Sequence, residues 1–215
     1  MFTGLIECTG VVVSSKNEKG IRAIGIEGAS FVSDLLIGDS VAVSGVCLTV
    51  TRTWVNGFSV EMIPETSEKT ILGSAIIGSR VNLERSMKAS GRFEGHIVTG
   101  HVDTMARVSG ISPRGRSREL EIDIDPPFSR YVAKKGSIAV QGVSLTVIDS
   151  TKGRFRIGLI PQTLESTTLS ELSAGSMVNI EFDILSKYIE ALLSGSPGEG
   201  TKPITMERLG EMGWI

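Results

Sequence analysis

The side chains best suited to proton transfer near neutral pH are two histidines, His96 and His101, which lie five residues apart. Many histidines are only hydrogen-bonded structural groups, and that interpretation stays open for both. No cysteine or third histidine lies near them in the sequence, so we predict no metal site. The thiol of Cys47 lies within an apolar run, where cysteine most often behaves as a small buried hydrophobe.

The sequence lacks the motifs of three large enzyme classes. It contains no GxxxxGK[ST], no GxGxxG before a helix and no GxSxG. Nucleotide hydrolysis, dinucleotide-dependent redox chemistry and the serine-hydrolase mechanism therefore lose their usual support. Arg114, Arg116 and Arg118 alternate with small residues, and we interpret them as a solvated hairpin tip and not as a phosphate clamp.

The composition excludes some classes of binding partner and indicates the cellular compartment. The 22 Lys and Arg residues against 24 Asp and Glu residues give a net charge of −2, which offers no electrostatic basis for binding nucleic acid. No apolar run approaches the roughly 20 residues of a membrane span, and the N-terminus lacks the basic region of a signal peptide. Two cysteines are too few for a disulfide framework. We expect a cytoplasmic protein with neither a nucleic-acid partner nor a membrane partner.

The chain contains an internal repeat. Three pairs of segments recur at an offset of 97 residues, with seven of ten, six of ten and three of four positions identical: residues 41–50 and 138–147, 63–72 and 160–169, and 81–84 and 178–181. Thr3-Gly4 corresponds to Thr99-Gly100 with a shift of one residue. Solenoids and propellers have periods of about 50 residues or fewer, so this longer period indicates two domains of one fold.

Each repeat is expected to be antiparallel β-structure. Asn56-Gly57 separates two strand-like runs, residues 50–54 and 58–62, and Asn-Gly in that position is a strong hairpin signal. Lys152-Gly153 occupies the equivalent place in the second repeat, and residues 118–125 alternate as a half-exposed strand does. Short, regularly spaced strands predict a small closed barrel. A short helix or turn is expected after each Ile-Pro-x-Thr motif, at residues 67–72 and 166–172.

An amphipathic helix is predicted after the second repeat. Six apolar residues share one helical face: Ile184, Leu185, Tyr188, Ile189, Leu192 and Leu193. Asp183 is placed to cap the start of this helix. Because the helix follows two complete barrels, another subunit is the expected partner of its apolar face. Residues 194–203 are a linker by composition, and residues 204–215 are either a short docked helix or a disordered end.

Two polar motifs are duplicated together with the apolar scaffold, and they suggest two similar ligand sites. Gly45-Val-Cys-Leu-Thr49 and Gly142-Val-Ser-Leu-Thr146 each place small polar side chains two residues apart, on one face of a strand. The paired Ile-Pro-x-Thr segments add a proline and a hydroxyl. Such a site suits a heteroaromatic ring, with polar groups at its edge and apolar groups on its faces. The alternative, that both motifs are only shared determinants of the fold, stays open.

The two repeats differ in their titratable groups. The second repeat has the extra acid–base residues and the first has the thiol, as four exchanged pairs illustrate: Leu5 and His101, Gly38 and Lys135, Ser86 and Asp183, and Cys47 and Ser144. One scaffold that holds the same ligand twice, among unequal titratable groups, fits a reaction in which two identical molecules have unequal roles.

The chain resembles the riboflavin synthase alpha-chain family, a family of lumazine-binding repeats, in several separated motifs. These are the start Met1-Phe-Thr-Gly4, the doubled GVxLTV and IPxT motifs, and residues 81–85 followed by 95–101. The resemblance covers about residues 1–193. It implies an all-β fold with a C-terminal helix, in which two tandem homologous six-stranded antiparallel Greek-key β-barrels are related by internal pseudo-twofold symmetry. The implied parts are a first barrel, a second barrel, a trimerisation helix, and a linker with a tail: residues 1–96, 97–183, 184–194 and 195–215.

The resemblance implies a dismutation, the last step of riboflavin biosynthesis. Two molecules of 6,7-dimethyl-8-ribityllumazine give riboflavin and 5-amino-6-(D-ribitylamino)uracil by transfer of a four-carbon unit, and no metal or organic cofactor is required. The implied assembly is a homotrimer around a helical bundle. Its active site lies between the first barrel of one subunit and the second barrel of a neighbour. An association with lumazine synthase stays open.

The resemblance also implies the ligand contacts. In the first barrel they fall on Gly4, Leu5, Ile6, Cys47, Leu48, Thr49, Glu61, Met62, Ile63, Pro64, Glu65 and Thr66. In the second barrel they fall on Gly100, His101, Val102, Lys135, Ser144, Leu145, Thr146, Ile160, Pro161, Gln162, Thr163, Leu164 and Glu165. Positions also associated with activity are matched by Phe2, Ser40, His96, His101 and Asp183.

Within this set, our hypothesis for proton transfer at one methyl group is His101 together with Thr146 or Ser144. Lys135 and Asp183 are expected to orient the ring or the ribityl chain. Cys47 is a candidate for a transient nucleophile at C7, and water or a ribityl hydroxyl are the alternatives.

Two departures from the family pattern bear on these roles. The family often has two adjacent cysteines where this chain has Val46-Cys47, so a role for the first of them is not needed here. Gln162 is uncharged where Glu65 of the first repeat is acidic, which puts a strict acid requirement at the second site in doubt.

A second class of function stays open, because fluorescent lumazine-binding antenna proteins resemble this family and bind the chromophore without converting it. Their second-half sites are degraded. The presence of His101, Lys135, residues 142–146 and the intact apolar helix favours the enzyme here. A third alternative is a flavin store, which would bind the product tightly without turnover.

Overall fold

The computed structural model describes residues 1–194, Met206, Gly210 and Gly213, and it contains two closed six-stranded barrels in tandem. The strands of the first barrel are β1 (Cys8–Glu18), β2 (Ile21–Glu27), β3 (Ser40–Val43), β4 (Val46–Trp54), β5 (Gly57–Met62) and β6 (Arg80–Arg85). The strands of the second are β7 (Thr104–Arg114), β8 (Ser117–Asp123), β9 (Ser137–Val140), β10 (Val143–Thr151), β11 (Arg154–Leu159) and β12 (Met177–Phe182). The predicted fold class is confirmed.

Both barrels have the same strand order, β1-β2-β5-β4-β3-β6 in the first and β7-β8-β11-β10-β9-β12 in the second, and each closes on itself. All neighbouring strands are antiparallel, and β2 pairs with β5 instead of with β3, as in a Greek key. Closure pairs the edge strands of each sheet, which would otherwise be open to association with other chains.

Alternation along the strands divides the side chains between a core and an outer surface. In β4, Val46, Leu48 and Val50 point into the barrel, while Cys47 and Thr49 point outward. Burying each such aliphatic side chain contributes about 1.5–3 kcal/mol. Each barrel has its own buried cluster, so the outward positions of the same strands are free to form a site.

The β4–β5 hairpin differs by one residue from the prediction. Its turn residues are Val55 and Asn56, and Gly57 already pairs with Trp54 as the first residue of β5. A Cβ atom on Gly57 would lie 2.4 Å from the carbonyl oxygen of Ile26, so close packing of the strands requires this glycine. The equivalent hairpin of the second barrel turns at Lys152-Gly153, as predicted.

Short helices begin earlier than predicted in both repeats. Helix α1 spans Pro64–Lys69 and helix α2 spans Pro161–Ser166, so the proline of each Ile-Pro-x-Thr motif is the first helical residue. Proline suits this position because its missing N–H would have no partner there and its φ is already helical. A 3-10 turn follows each helix, at Ile71–Ser74 and Thr168–Glu171.

The predicted C-terminal helix is present as α3 (Ile184–Ser194). Oδ1 of Asp183 accepts a hydrogen bond from the backbone N of Leu185 at 3.0 Å, which confirms the predicted cap. The apolar face of the helix is open: Tyr188, Leu192 and Leu193 are 63%, 81% and 82% exposed. Apart from Met206, Gly210 and Gly213, the predicted linker and tail lie outside the described residues.

Equivalent residues form the contact between the barrels. A Cβ atom on Gly45 would lie 2.7 Å from the backbone N of Gly142, and a Cβ on Gly142 would lie 2.7 Å from the N of Gly45. Nδ2 of Asn82 donates to a carbonyl of the second barrel, and Nδ2 of Asn179 donates to a carbonyl of the first, each at 2.9 Å. These reciprocal contacts give the pseudo-twofold relation between the repeats.

No helix among the described residues is long and apolar enough to cross a membrane. In the same part of the chain, no three His, Cys, Asp or Glu side chains are grouped so that they could hold a metal ion.

Candidate active site

The segment that precedes each barrel contacts the opposite barrel. Residues 1–7 precede the first barrel, yet the backbone N of Ser144 in β10 donates to the carbonyl oxygen of Gly4 at 2.8 Å. Residues 97–103 precede the second barrel, yet the backbone N of Cys47 in β4 donates to the carbonyl oxygen of Gly100 at 2.9 Å. We call these two stretches the crossing segments.

The crossing segments therefore contact the barrel opposite to the one to which their predicted ligand contacts are assigned. Gly4, Leu5 and Ile6 were expected to act with the first barrel, but Ile6 packs against the core of the second. Gly100, His101 and Val102 were expected to act with the second barrel, but Val102 packs against the core of the first. Each site combines one barrel with the segment that leads into the other.

The first site lies between β4, α1 and the second crossing segment. Six of the predicted residues line one cavity of about 210 Å³ there: Cys47, Glu65, Thr66, Gly100, His101 and Val102. A Cβ atom on Gly100 would lie 2.4 Å from Cβ of Cys47, and Gly100 has a φ of 81°, so only glycine fits at this contact. The cavity brings together a thiol, an imidazole and a carboxylate.

The carboxylate of the first site is ionised. Nζ of Lys69 hydrogen-bonds to Oε1 of Glu65 at 2.7 Å, and this bond, together with the positive charge, lowers the pKa of the Glu65 carboxyl. An anion here can accept hydrogen bonds from N–H groups at the edge of a heteroaromatic ring.

The second site contains Gly4, His96 and Ser144. Nδ1 of His96 lies 2.7 Å from Oγ of Ser144, within hydrogen-bond distance. Gly4 has a φ of 78°, and a Cβ atom on it would lie 2.6 Å from Cβ of Ser144. The contact of Gly4 with β10 is therefore the same as the contact of Gly100 with β4. The two sites differ in that Ser144 has a histidine partner.

Burial keeps the imidazole of the second site neutral. His96 is only 7% exposed. Its desolvation lowers the pKa of the imidazole, and the negative charge of Asp183 opposes this shift. A neutral imidazole beside a hydroxyl can accept the hydroxyl proton or orient the hydroxyl toward a ligand.

Lys135 adopts a strained backbone conformation. Its φ is 66°, and its backbone N donates to the carbonyl oxygen of Val147 at 2.9 Å. Gly38 occupies the equivalent turn with a φ of 98°, where glycine carries no steric penalty. A non-glycine residue in this region costs about 1–2 kcal/mol. Lys19, Ser44 and Gln141 also have a positive φ, and the role of Lys135 in orienting the ligand stays a prediction.

Phe2, Ser40 and the side chain of Leu5 lie outside the two sites. Phe2 is fully buried between the barrels, where it pairs with Val98 through N–H to O bonds of 2.7 and 3.1 Å, so its side chain cannot touch a ligand. Ser40 lines a separate cavity of about 680 Å³ at one end of the first barrel, together with Leu5 and Ser86.

Several predicted contact residues point away from the sites. Leu48, Met62 and Leu145 are buried in the barrel cores, so only their backbone could meet a ligand. The side chain of Glu61 lines a groove on the outer face of the first barrel, beside Trp54.

Sequence reasoning missed two buried glutamates, Glu84 and Glu181. Both accept hydrogen bonds from the crossing segments. They end the repeated Val-Asn-x-Glu motif at the common offset of 97, and that recurrence of an acid at a buried strand position was a usable signal.

Comparisons with known proteins agree with this architecture. The family model of the lumazine binding domain matches the chain twice, at residues 3–86 and 99–183. The chain is 41% identical to riboflavin synthase of Bacillus subtilis over 215 residues, with full coverage of both chains. It is 41% identical to riboflavin synthase of Actinobacillus pleuropneumoniae, covering 94% of each chain, and 38% identical to that of Saccharomyces cerevisiae, covering 88% and 85%.

Solved structures share the fold at lower identity. LumP complexed with riboflavin superposes with a TM-score of 0.79 at 21% identity, covering 85% of this chain and 99% of that one. LumP complexed with 6,7-dimethyl-8-(1'-D-ribityl) lumazine has a TM-score of 0.76 at 22% identity, with the same coverage.

Proposed function

The chain belongs to the riboflavin synthase family, whose lumazine-binding domain it contains twice, and we propose that it catalyses the dismutation of 6,7-dimethyl-8-ribityllumazine. Two such molecules give one riboflavin and one 5-amino-6-(D-ribitylamino)uracil. A four-carbon unit leaves one molecule and joins the other, so the two substrates supply every atom and electron of the products. The observation that carries the proposal is the pair of equivalent sites with unequal side chains.

The common parts of the two sites support binding of the same ring twice. Each site has an outward strand position beside a crossing glycine, Cys47 with Gly100 and Ser144 with Gly4. Each also has a short helix that begins at a proline, after an exposed isoleucine. A flat ring can lie against the isoleucine and accept or donate hydrogen bonds at the exposed backbone.

The unequal parts of the two sites support different roles for the two molecules. The first site has Cys47, His101 and an ionised Glu65. The second has Ser144 with a neutral His96, and the charge of Asp183 is close enough to act on that imidazole. The sites thus offer different acid–base groups to the same ligand, as a donor and an acceptor require.

The proposed reaction begins at the acidic C7 methyl group. Holding two rings face to face can lower the barrier by roughly 7–11 kcal/mol when the alignment is good. Acid–base catalysis contributes less, typically 10²–10⁴-fold. Positioning is therefore the larger contribution. Cys47 attacks C7 as a transient nucleophile in one version of the mechanism, and water or a ribityl hydroxyl does so in the others.

The proposal includes a site shared between subunits. His101 lies in the first site and Ser144 in the second, and for the hypothesised cooperation of His101 with Ser144 or Thr146 we propose that the first site of one chain meets the second site of another. The open apolar face of α3 supports an assembly of chains, for which we propose a homotrimer. Association with lumazine synthase is not needed for this chemistry, and co-sedimentation of the two proteins tests it.

We also propose a cytoplasmic location. Cys8 and Cys47 are both free and partly exposed, which suits a reducing compartment.

Mixing the purified protein with the lumazine tests the function. The proposal predicts that the flavin absorbance rises to one riboflavin for every two lumazines consumed. A stable complex without flavin formation would instead indicate an antenna protein, and tight binding of added riboflavin without turnover would indicate a store. Single-turnover kinetics of Cys47→Ser and His101→Gln then test the roles of these residues, since losses under about threefold in both would reject essential ones.

A further inference from the structure

Glu84 is a buried carboxylate that holds the first crossing segment. It lies near the end of β6 and is 4% exposed. Its Oε1 accepts hydrogen bonds from the backbone N of Thr3 at 2.6 Å and from the Thr3 hydroxyl at 2.7 Å. Its Oε2 accepts a third from the backbone N of Gly4 at 3.0 Å. Both oxygens are therefore committed to two consecutive residues.

Glu181 makes the same contacts in the second repeat. It lies near the end of β12 and is 3% exposed. The backbone N and the hydroxyl of Thr99 donate to Oε1 at 2.6 and 2.7 Å, and the backbone N of Gly100 donates to Oε2 at 2.9 Å. The two carboxylates are thus equivalent parts of the repeat, and neither belongs to the chemistry of the sites.

A carboxylate is the side chain that this arrangement requires. Three donors converge on it, and an ionised carboxylate is an acceptor only, so it can satisfy all of them. An amide in its place would turn an NH₂ group toward one backbone N–H. That N–H would lose its partner inside the protein, which is costly for a buried group.

The glycine of each crossing segment is bound on both sides, at its N–H by a glutamate and at its carbonyl by the opposite barrel. Glu84 of the first barrel holds the N–H side of Gly4, whose carbonyl accepts from the backbone of Ser144 in the second barrel at 2.8 Å. Glu181 of the second barrel holds the N–H side of Gly100, whose carbonyl accepts from the backbone of Cys47 in the first barrel at 2.9 Å.

We propose that Glu84 and Glu181 are positioning residues that act on opposite barrels. Glu84 holds the crossing segment of the second site in place, and Glu181 holds that of the first site. Their relevance to catalysis rests on the proposed function, because it assumes that the ligand binds at these two sites. The crossed action itself does not, and it can be tested without substrate.

Alkylation of Cys47 by N-ethylmaleimide reports on the first site. In a Cys8→Ala background this residue is the sole thiol of the chain. Glu181→Gln should release the second crossing segment from Cys47 and raise the labelling rate about tenfold, as the loss of a buried hydrogen bond to a charged group predicts. Glu84→Gln is the matched control, because it removes the same contacts in the other repeat, and its rate should stay within about twofold of the parent.

A thiol introduced by Ser144→Cys, with Cys47→Ser and Cys8→Ala, reports on the second site. The pattern should now reverse: Glu84→Gln speeds labelling about tenfold and Glu181→Gln leaves it within about twofold. Equal acceleration by both variants at one thiol, or no acceleration by either, would overturn the proposal.

Smaller substitutions cover the case in which a glutamine variant does not fold. Thr99→Val removes the hydroxyl, which donates to Glu181 and accepts from the backbone N of His101 at 3.3 Å. It should speed labelling of Cys47 about threefold, whereas Thr3→Val should not change it. Thr99→Ser keeps the hydroxyl and should behave as the parent. Equal effects of Thr99→Val and Thr3→Val on Cys47 contradict the crossed action. Flavin formation is measured separately, so its absence would count against the proposed function and leave this result intact.

Discussion

The two barrels have the same strand order and the same crossing glycines, and they differ where a side chain can act as an acid or a base. The exchanged pairs are Leu5 and His101, Gly38 and Lys135, Cys47 and Ser144, and Ser86 and Asp183, of which Leu5 and Ser86 line the separate cavity of the first barrel. The backbone of the proposed ring sites is therefore duplicated, while the titratable side chains beside it are not. This division matches a reaction between two copies of one molecule.

The barrels also differ on their outer faces, but these differences contribute little to the stability of the fold. The second barrel has a network of partly exposed ion pairs between its strands, with Arg154 bound to Glu121 and Asp123. In the first barrel, Trp54 lies over Gly25 and Gly57 instead. Surface ion pairs contribute about 0–1 kcal/mol each. The differences that matter for function are thus those at the sites.

The largest expected effect is on the packing between the two barrels. Phe2 is fully buried there, so Phe2→Ala should lower the free energy of unfolding by about 3–5 kcal/mol in urea denaturation. Phe93→Ala is the control, since Phe93 is mostly exposed and its loss should change stability by less than about 0.5 kcal/mol. A loss below about 1 kcal/mol for Phe2→Ala would show that the barrels do not depend on this contact.

Replacing a second-repeat residue by its first-repeat counterpart tests the division of chemistry. His101→Leu should lower the single-turnover rate about 10²–10⁴-fold, because the leucine cannot transfer a proton. The melting temperature should change little, since His101 is exposed. Leu5→His, which adds an imidazole to the other crossing segment, should not restore the rate. Activity within about threefold of the parent in His101→Leu would remove this residue from proton transfer.

A substitution in the turn that contains Lys135 is expected to change stability and activity in opposite directions. Lys135→Gly relieves a backbone with a φ of 66° and should raise the free energy of unfolding by about 0.5–1 kcal/mol while slowing turnover. Gly38→Ala makes the opposite change in the first barrel and should cost about 1 kcal/mol. If Lys135→Gly destabilises the protein and leaves the rate unchanged, the strain has no functional meaning.

The smallest expected effect is a pH dependence of stability linked to His96 of the second site. Burial lowers the pKa of His96 below the ordinary histidine value of 6.5, so the unfolded chain binds more protons than the folded one between the two pKa values. The stability linked to His96 is therefore complete above pH 6.5 and is lost as the pH falls toward the folded pKa. Urea titrations between pH 7.5 and about 5.5 should show a steeper loss for the parent than for His96→Gln. Parallel curves for the two proteins would contradict the burial of a neutral imidazole.

Much of the fold followed from local sequence patterns, because alternation and turn residues act over short distances. Residues 41–50 and 138–147 predicted the site strands, and the apolar stripe predicted α3. The crossing segments could not be assigned, since Thr3-Gly4 and Thr99-Gly100 are the same motif and would fit either barrel equally well. The Asn56-Gly57 pattern predicts a turn at Gly57, because a single sequence does not show the close contact of this glycine with the neighbouring strand.

The sites were predictable in their residue types more than in their grouping. Cys47, Glu65 and His101 were all singled out, yet only the three-dimensional structure brings them into one cavity. Glu84 and Glu181 were missed because a buried acid is recognised by its donors, and those donors lie about 80 residues away in the chain.

We propose that one chain binds the same ligand at two equivalent sites. Equilibrium dialysis with a ribityllumazine analogue that lacks the C7 methyl group, and so cannot react, measures this directly. We predict two bound molecules per chain, with one lost in Cys47→Trp, the other lost in Ser144→Trp, and none bound in the double variant. One molecule per chain, or loss of the same molecule in both single variants, would contradict the claim.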